Sequence, residues 1–471
     1  MIATSHSQFR AVSERLPFAL VLGVIVLLSA CELNRAEREP QRPNLILVLT
    51  DDQGYADLGC QGVVKDVKTP HIDALAADGV RFTRGYVTAP QCAPSRAGLL
   101  TGRYQSRFGV ETNRSGPLPE TEKTIGDRLR TAGYLTGMIG KWHLDSGLGP
   151  EFAPGRRGFD EYFSGRMLSY QANFDLEGND IPNAPQTLRD ERYRIDVQTD
   201  AAIAFLERRT ANPQQPFFLY LAYFAPHLPF DRPEPYIARF GGVTAANRRM
   251  GLASIAAMDD GVGRIRQYLR EHGMEENTLL FVISDNGAPK RGKLWNGSLN
   301  DPMIGEKGML TDGGIRVPFL AAWKGVLPRG KLEERAVSSL DFAATALALA
   351  GEKPVPELDG VNLLPFLTGK SATAPHEFLF WRFRSQAAIF DGRWKLVFRF
   401  PDHWLLFDHS TNAPETKDVA PQYPEVVERL RLRLEAWAAE QEPPGLPQER
   451  KRGDEVLFDE YPGLSGNRAR R

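Results

Sequence analysis

Four short apolar runs in this chain each end directly in polar side chains that can carry chemistry. The runs are rich in β-branched and aromatic residues and nearly free of polar positions, which is typical of strands buried on both faces. Helical patterns lie between them, and this alternation predicts an α/β fold with a large, mostly parallel sheet sandwiched by helices. The runs occupy residues 44–50, 135–140, 217–224 and 278–284.

The polar side chains that follow the four runs are expected to converge on one site. Ligands bind outside the carboxyl ends of parallel strands, and each polar cluster begins where its strand should end. The clusters are Asp51 and Asp52 after the first run, Lys141 and His143 after the second, His227 after the third, and Asp285 and Asn286 after the fourth.

The segment Cys-Ala-Pro-Ser-Arg at residues 92–96 precedes a helix-like run. Proline is tolerated in a first helical turn, because its missing N–H costs nothing there. Cys92 would then lie at the positive end of a helix, among free N–H groups that suit an anion. Taken alone, the segment is better explained by a buried cysteine before a helix. Because the same chain also carries the four polar clusters at predicted strand ends, a reactive site is favoured.

With these residues in view, the chain resembles the formylglycine-dependent sulfatases of the alkaline phosphatase superfamily. The matching pieces occur in the family's order and span most of residues 43–440, so the ordered set is specific although each piece alone is weak. The pieces lie at residues 51–54, 92–96 with 101–103, 140–143, 226–227, 284–287, 305–307 and 312–318.

The resemblance implies a covalent mechanism at Cys92. In that family the motif cysteine is oxidised to Cα-formylglycine by a formylglycine-generating enzyme, and the aldehyde is hydrated in the resting state. One hydroxyl of the hydrate would attack sulfur and expel the alcohol. Loss of the proton from the other hydroxyl would then eject sulfate and restore the aldehyde.

A divalent cation is expected beside this nucleophile. Asp51, Asp52, Asp285 and Asn286 offer hard oxygen ligands, which suit Ca²⁺ first and Mg²⁺ second, rather than zinc. By resemblance, the oxidised Cys92 joins this ligand set. Each short acidic segment alone also fits a turn after a strand, but three carboxylates at facing strand ends need a compensating cation.

The other catalytic roles come from the resemblance, position by position. Arg96 would hold the formylglycine and its surroundings, and Lys141 and Lys307 would bind sulfate oxygens. His143 would accept the proton during sulfate release, and His227, with Lys307, would protonate the departing oxygen. Taken singly, each lysine also fits a solvated surface position and each histidine a structural one.

Several other residues receive separate expectations. Asp145 stands where the family commonly has glycine and adds negative charge near an anion site, so we expect it to affect substrate choice or to contact a second cation. Asp312 stands where the family usually has glutamate. His71 is assigned to a helix start, and Cys60 to a small buried position. Tyr104, Arg107, Trp381 and Arg382 could contact a sugar, although ordinary packing is the simpler explanation for each one.

The amino terminus predicts an exported lipoprotein. Arg10 and Arg15 precede an apolar run that is too short for a membrane span, and small residues lead into Cys31. We expect residues 1–30 to be a lipoprotein signal peptide and 31–42 a tether, with a lipid on Cys31 anchoring a periplasmic or cell-surface protein to a membrane. An ordinary signal peptide with an incidental cysteine is the alternative.

Length and charge complete the picture. The chain has 471 residues, with 58 basic and 59 acidic side chains, and it shows no basic stripe that would point to nucleic acid as a partner. We expect a catalytic α/β domain at 43–365 and a smaller C-terminal α+β subdomain at 366–440 with an antiparallel sheet and a final amphipathic helix. Residues 441–471 have too little apolar content for a core and should form a loose tail.

The predicted function is hydrolysis of sulfate esters, on sulfated carbohydrates in particular. One alternative is a phosphonate or phosphate ester hydrolase of the same superfamily. The other is a non-catalytic glycan-binding lipoprotein that keeps the scaffold.

Overall fold

A computed structural model describes residue 1, residues 42–231, 234–290, 292–411 and 414–449, and residues 458, 461 and 464. The predicted signal peptide and most of the tether, including Cys31, lie outside the described residues. No helix within the described ranges is both long and apolar enough to cross a membrane.

The centre of the molecule is a ten-stranded sheet in the order β11-β2-β10-β9-β1-β8-β4-β5-β6-β7. Its middle strands β9, β1, β8, β4 and β5 are parallel, while β10, β6 and β7 run antiparallel to a neighbour. The strands of this sheet are β1 Asn44–Asp51, β2 Val80–Phe82, β4 Leu135–Gly140, β5 Glu161–Gly165, β6 Ser169–Ala172, β7 Gln186–Arg189, β8 Phe217–Pro226, β9 Thr278–Ser284, β10 Phe319–Ala322 and β11 Lys331–Glu333, and a separate two-stranded pair is formed by β3 Gly85–Tyr86 and β12 Val337–Ser338.

Helices cover both faces of the large sheet, so the α/β sandwich expected from the sequence is confirmed. Alternate residues of β1 enter two different hydrophobic cores, Leu45 and Leu47 one of them and Ile46 and Val48 the other. This alternation is the reason that the strand is apolar at every position. The helices are α1 Pro70–Asp78, α2 Cys92–Thr101, α3 Ile125–Thr131, α4 Arg194–Thr210, α5 Ala246–Glu271, α6 Asp312–Ile315, α7 Asp341–Leu349, α8 Leu364–Leu367 and α9 Pro424–Ala439.

A four-stranded antiparallel sheet follows in the C-terminal part, as expected. Its strands are β13 Leu379–Phe383, β14 Gln386–Phe390, β15 Trp394–Arg399 and β16 His403–Asp408, in that spatial order. One face packs against α9 through Leu430 and Leu434, whereas Trp381 and Val397 enter the core of the large sheet. The small sheet therefore shares a hydrophobic core with the large one, and the domain boundaries near 365 and 440 stay predictions.

Residues 441–445, which were expected in a loose tail, instead lie against the body of the molecule. Gln441 is buried and accepts a hydrogen bond from the Ser106 hydroxyl at 2.8 Å. The backbone carbonyls of Glu442 and Gly445 accept hydrogen bonds from the buried guanidinium of Arg382. A buried arginine needs such acceptors, and low apolar content alone could not reveal them.

Candidate active site

The four strands that carry the predicted site residues are neighbours in the sheet, in the order β9, β1, β8, β4. Their carboxyl ends therefore open at one edge. Backbone hydrogen bonds continue past the strand ends, from Asp285 N to Thr50 O at 3.0 Å and from Lys141 N to Ala222 O at 2.8 Å. The backbone hydrogen bonds between neighbouring strands thus also hold the first polar residues after the strands.

Backbone conformation at this edge explains the glycines of two motifs. Gly140 has a positive φ, and a Cβ there would lie 2.0 Å from the carbonyl oxygen of Ala222. A Cβ on Gly287 would lie 1.9 Å from the carbonyl oxygen of Gly313. Only glycine allows the backbone to come this close to the neighbouring carbonyl oxygens. The close contacts fix the positions of Lys141, which follows Gly140, and of the segment after Asn286.

Two site residues adopt the left-handed backbone conformation although neither is glycine. Asp52 has φ 64° and His143 has φ 62°. Such conformations cost free energy and persist where the surrounding structure holds them. Asp52 directly follows β1 and His143 lies three residues after the end of β4, so both strained residues are at the candidate functional edge.

Cys92 begins α2 and is fully buried. Its Sγ lies 3.4 Å from Asp51 Oδ1, 3.7 Å from Asp52 Oδ1 and 3.3 Å from Lys307 Nζ. Burial raises the pKa of the Cys92 thiol, but the ammonium groups of Lys141 and Lys307 outweigh burial and hold that pKa below its ordinary value. The helix therefore presents residue 92 to the acidic and basic groups at the strand ends.

The carboxylates at this edge are paired with cationic side chains. Lys141 Nζ lies 2.6 Å from Asp51, and Lys307 Nζ lies 2.6 Å from Asp52. Burial raises the pKa of Asp51, yet the neighbouring positive charges, Lys141 foremost, bring it well below the ordinary value. Lys141 is fully buried, so the alternative of a solvated surface lysine does not apply to it.

Arg96 is fully buried, and it joins Asp285 to the segment that follows β4. Its Nε and Nη2 both donate to Asp285 Oδ2, at 3.0 and 2.8 Å, and its Nη1 donates to Lys141 O at 2.7 Å. Burial raises the pKa of Asp285 well above its ordinary value, the nearby charges of Cys92 and Asp51 add to the effect, and Arg96 opposes it.

The oxygen atoms at this edge fit a hard divalent cation. Asp285 Oδ1 accepts a hydrogen bond from the backbone of Asp52, and Asn286 Nδ2 donates to Asp52 Oδ1 at 2.7 Å. Asn286 Oδ1 is buried and has no hydrogen-bond partner among the described residues. A buried carbonyl oxygen left without a donor, beside three carboxylates, is a suitable ligand for Ca²⁺ or Mg²⁺. Ligand atoms of Asp51, Asp52, Cys92 and His227 all lie within 4.8 Å of one another.

The two histidines occupy different electrostatic environments. Burial lowers the pKa of His227, but the carboxylates of Asp51 and Asp52 raise it to about 8. Burial and the charge of Lys141 lower the pKa of His143 to about 2. His227 Nε2 lies 3.6 Å from Asp52 Oδ2, and His143 Nδ1 is buried without a hydrogen-bond partner among the described residues. Near neutral pH, His227 therefore carries a proton that it can donate, whereas His143 is neutral.

Sequence reasoning missed the residues that support His227. Its ring stacks on the ring of Phe224, with centroids 4.9 Å apart. The guanidinium of Arg194 also lies over the Phe224 ring, 4.6 Å from its centroid. Arg194 is fully buried and donates to the backbone carbonyl of His227 at 2.9 Å. Phe224 reads as an ordinary strand residue and Arg194 as the start of an amphipathic helix, so no local pattern signalled either role.

The suggested sugar contacts at Tyr104, Trp381, Arg382 and Arg107 are explained by packing. Trp381 is buried and its indole donates to Val87 O at 2.7 Å. Tyr104 is buried, and its hydroxyl accepts from the backbone of Phe380. Arg382 is buried against Glu111, and Arg107 makes a two-pronged contact with Asp359. Such paired groups have their hydrogen-bonding capacity filled within the protein.

The remaining special positions also have structural surroundings. Asp312 is buried among Lys395, Arg316 and Glu415, so its shorter side chain belongs to an internal ion cluster. His71 is exposed in the first turn of α1, as expected for a helix start. Cys60 is only half-buried, a correction to the expected buried position, because it lies on a short turn near the surface, where its own N–H donates to Asp73 Oδ1.

Comparisons with known proteins agree with this arrangement. Residues 43–352 match the family model described as Sulfatase, and residues 304–440 match one described as N-sulphoglucosamine sulphohydrolase, C-terminal. The chain is 34% identical to N-acetylgalactosamine-6-sulfatase of Canis lupus familiaris, over 81% of this chain and 77% of the relative. It is 35% identical to arylsulfatase A of Homo sapiens, over 76% and 75%. Among solved structures, Ps i-CgsB in complex with k-i-k-neocarrahexaose superposes with a TM-score of 0.76 at 32% identity, covering 89% of this chain and 97% of that one.

Proposed function

The chain belongs to the sulfatase family, as a type I sulfatase of the alkaline phosphatase superfamily and a sulfuric ester hydrolase, and on that premise we propose that it removes sulfate from sulfated carbohydrates. The observation that carries the mechanistic part is the position of Cys92. It begins a helix, and its Sγ lies within 3.4 Å of both Asp51 and Lys307 at the carboxyl edge of the sheet.

The carbohydrate part of the proposal is supported by the relatives. Two similar proteins carry sugar chemistry in their names, an N-acetylgalactosamine-6-sulfatase at 34% identity and a structure solved with a neocarrahexaose at 32% identity. Sulfate esters of sugars are anionic, so a site lined by Lys141, Lys307 and Arg96 has the charge needed to hold one.

In the proposed mechanism, Cys92 is converted to Cα-formylglycine by a formylglycine-generating enzyme, and the hydrated aldehyde supplies the nucleophilic hydroxyl. The chain's own residues then position the sulfate and move protons. Lys141 and Lys307 hold sulfate oxygens, and His227 donates a proton to the departing alcohol oxygen. His143, neutral because of its lowered pKa, accepts a proton during sulfate release.

A bound divalent cation, most suitably Ca²⁺ and otherwise Mg²⁺, would neutralise negative charge on the sulfate group. Asp51, Asp52, Asp285 and Asn286 would hold it, together with the oxidised side chain at position 92. Their oxygen-only donor set favours these ions over zinc. Arg96 would keep Asp285 oriented toward the ion, since it donates two hydrogen bonds to a single oxygen of that carboxylate.

The proposal is tested by incubating the purified protein, co-produced with the maturing enzyme, with a panel of sulfated mono- and oligosaccharides and measuring released sulfate. We expect release from at least one sugar sulfate and none from the Cys92→Ala variant. Mass spectrometry of the peptide that contains position 92 should show the aldehyde. A matured protein that releases sulfate from no sugar would contradict the carbohydrate assignment.

The phosphoester alternative is separated by one further comparison. Aryl sulfate and aryl phosphonate are offered to the same preparation, and kcat/KM is measured for each. We expect the sulfate to be the better substrate, and faster turnover of the phosphonate would favour the alternative activity.

We also propose that the protein is exported and held on a membrane by a lipid on Cys31, as the sequence 28–31 suggests. Metabolic labelling with a radioactive fatty acid should label the wild-type chain and not the Cys31→Ala variant. Equal labelling of the two, or none of the wild type, would favour an ordinary signal peptide.

A further inference from the structure

A cleft of about 530 Å³ opens beside the catalytic edge and has no role in the mechanism above. One wall is the segment that leaves β4, including His143 and Asp145. The opposite wall is the turn between β5 and β6, residues 164–169, with Gln171 of β6 and Arg189 of β7. This volume is in the range that accommodates one small-molecule group such as a sugar ring.

The cleft contains an unengaged cation. Arg166 is exposed at the tip of the β5–β6 turn, and no described residue lies within ion-pair or hydrogen-bond distance of its guanidinium. By contrast, Arg189 lies 3.3 Å from Glu191. Arg166 also contributes to the positive charge that lowers the pKa of His143, so the charge of Arg166 acts on a residue of the catalytic edge.

Asp145 brings one negative charge to the same cleft. Its Oδ1 accepts a hydrogen bond from the backbone N–H of Gly147 at 3.1 Å, which orients the carboxylate without removing its charge. Arg166 and Arg189 bring two positive charges to the lining, so the charge of the cleft is net positive.

The turn that carries Arg166 is fixed relative to the catalytic edge. The buried guanidinium of Arg194 contacts Sδ of Met167 and also donates to the backbone carbonyls of His227 and Pro229, each at 2.9 Å. One side chain therefore ties the residue next to Arg166 to the segment of the candidate general acid. A subsite built on such a support keeps a constant distance from the reacting group.

We infer that this cleft is a subsite for a second anionic group of the substrate, a further sulfate or a carboxylate, and that Arg166 recognises it. The inference rests on the proposed carbohydrate substrate and narrows it to polyanionic sugars. A guanidinium binds such groups through paired, charge-assisted hydrogen bonds. Arg166 is then a specificity-determining residue for the hydrolysis.

The test is a binding comparison that does not depend on turnover. The Cys92→Ala chain is titrated by calorimetry with two matched pairs of sugars that differ by one sulfate. The first pair is glucosamine 6-O-sulfate and its 2-N,6-O-disulfate, and the second is N-acetylgalactosamine 6-sulfate and its 4,6-disulfate. We expect at least one disulfated sugar to bind about tenfold more tightly than the matched monosulfated sugar. The ratio of the two affinities should fall as the salt concentration is raised.

Substitutions at position 166 then assign the advantage. Arg166→Gln in the same background should weaken the disulfate about tenfold and the monosulfate about twofold, whereas Arg166→Lys should keep part of the preference. Arg329→Gln removes another exposed arginine, just before β11 at the opposite edge of the sheet, and should change neither affinity.

Three results would overturn the inference. They are equal affinity for both members of each pair, an undiminished preference in Arg166→Gln, and an equal loss in Arg329→Gln, which would indicate bulk charge only. Failure of the proposed function would look different, because an absence of sulfate release from any sugar leaves these binding comparisons readable.

Discussion

Arg96 satisfies two different acceptors from one buried position, Asp285 Oδ2 on the β9 side and Lys141 O on the β4 side. Only a planar guanidinium can reach both with several N–H groups at once, because a lysine ammonium is a single point of charge. The residue is therefore a positioning element for two segments of the active site.

We expect Arg96→Lys to lower kcat/KM for an aryl sulfate by about 10–100-fold, the effect usual for a residue that orients a metal ligand. Arg107→Lys is the control, because Arg107 also binds an aspartate, Asp359, through its Nε and Nη2, outside the group of residues that gather at the strand ends. The control should keep nearly full activity. Equal activity losses in the two variants would indicate a general effect on folding.

At the residue scale, the sequence predicted the groups that gather at the site better than the contacts among them. Asp51, Asp52, Asp285 and Asn286 each follow an apolar strand, so their convergence is a consequence of parallel topology. The support of His227 by Arg194 is not accessible in this way, since it joins a helix start to a loop that is 33 residues away in the chain. Contacts of that kind depend on tertiary packing, which leaves no periodic signal.

At the scale of elements, the small C-terminal sheet is joined to the body by a buried ion cluster. Lys395 of β15 is fully buried, and its Nζ lies 2.7 Å from Asp312 and 2.8 Å from Glu415. Glu415 also accepts a hydrogen bond from the backbone N–H of Asp312, where α6 begins. Since α6 follows the loop that carries Lys307, the cluster fixes one end of a catalytic segment.

We expect Lys395→Met to lower the free energy of unfolding by about 3–5 kcal/mol, because it leaves two buried carboxylates without their shared cation. Urea denaturation measures the change. Lys324→Met removes an exposed lysine that pairs with Glu275 and Glu276, and should cost less than about 1 kcal/mol. Similar losses in the two variants would contradict the importance of burial.

A second element contact predicts a dependence of stability on pH. His376, just before β13, donates to Asp341 at the start of α7 at 2.8 Å. Burial lowers the pKa of His376, but the Asp341 carboxylate outweighs burial and raises it above the ordinary value of 6.5. A histidine with a raised pKa in the folded state stabilises fully below about pH 6.5, and this contribution is lost as the pH rises through the folded-state pKa.

The His376→Gln variant isolates this contribution. At pH 6 the variant should be less stable than the wild type by about 1.5–3 kcal/mol, the range for a hydrogen bond to a charged group. The difference should shrink as the pH is raised toward 9, because the wild-type histidine loses its proton as the pH passes its folded-state pKa and a neutral hydrogen bond contributes only about 1 kcal/mol. Denaturation curves of both proteins at the two pH values measure it, and a constant difference would exclude the ion pair as the cause.

The sequence predicts the strands well where both faces of the strand are buried. The runs at 135–140 and 278–284 match β4 and β9 at both ends, because no charged residue interrupts them. The last two strands at one side of the sheet, β6 and β7, escaped prediction, since they are four residues each, with every second residue of β6 and most of β7 exposed. Short exposed strands are defined by their neighbours, and their own sequence carries little apolar pattern. The turn that presents Arg166 therefore came only from the structure.

At the scale of the whole molecule, the active-site edge concentrates buried negative charge at the centre of the sheet. Asp51 and Asp285 are fully buried and Asp52 nearly so, on adjacent strands at the junction of both helix layers. A divalent cation that binds these oxygens in the folded state, and not in the unfolded chain, stabilises the folded state by mass action. Cation binding and global stability should therefore be linked.

We expect Ca²⁺ to raise the unfolding free energy of the Cys92→Ala protein, in which no thiol remains at the strand ends to bind other metals. At a free concentration of about 100 times Kd the gain should be about 2.7 kcal/mol, and chelation should reverse it. Thermal unfolding in Ca²⁺, Mg²⁺, Zn²⁺ and chelator measures the effect. The oxygen-only donor set predicts that Ca²⁺ exceeds Zn²⁺, and a larger gain with Zn²⁺ would contradict it.

The site of binding is assigned by Asn286, whose Oδ1 is the buried oxygen without a hydrogen-bond donor. Asn286→Ala removes that ligand and should require about 10–100 times more Ca²⁺ for the same gain, by analogy with the loss of groups around a metal. Asn212→Ala, at an exposed position after α4, should bind as the parent does. If the two variants respond alike, the ion binds elsewhere, and the stabilisation then says nothing about the carboxylates at the strand ends.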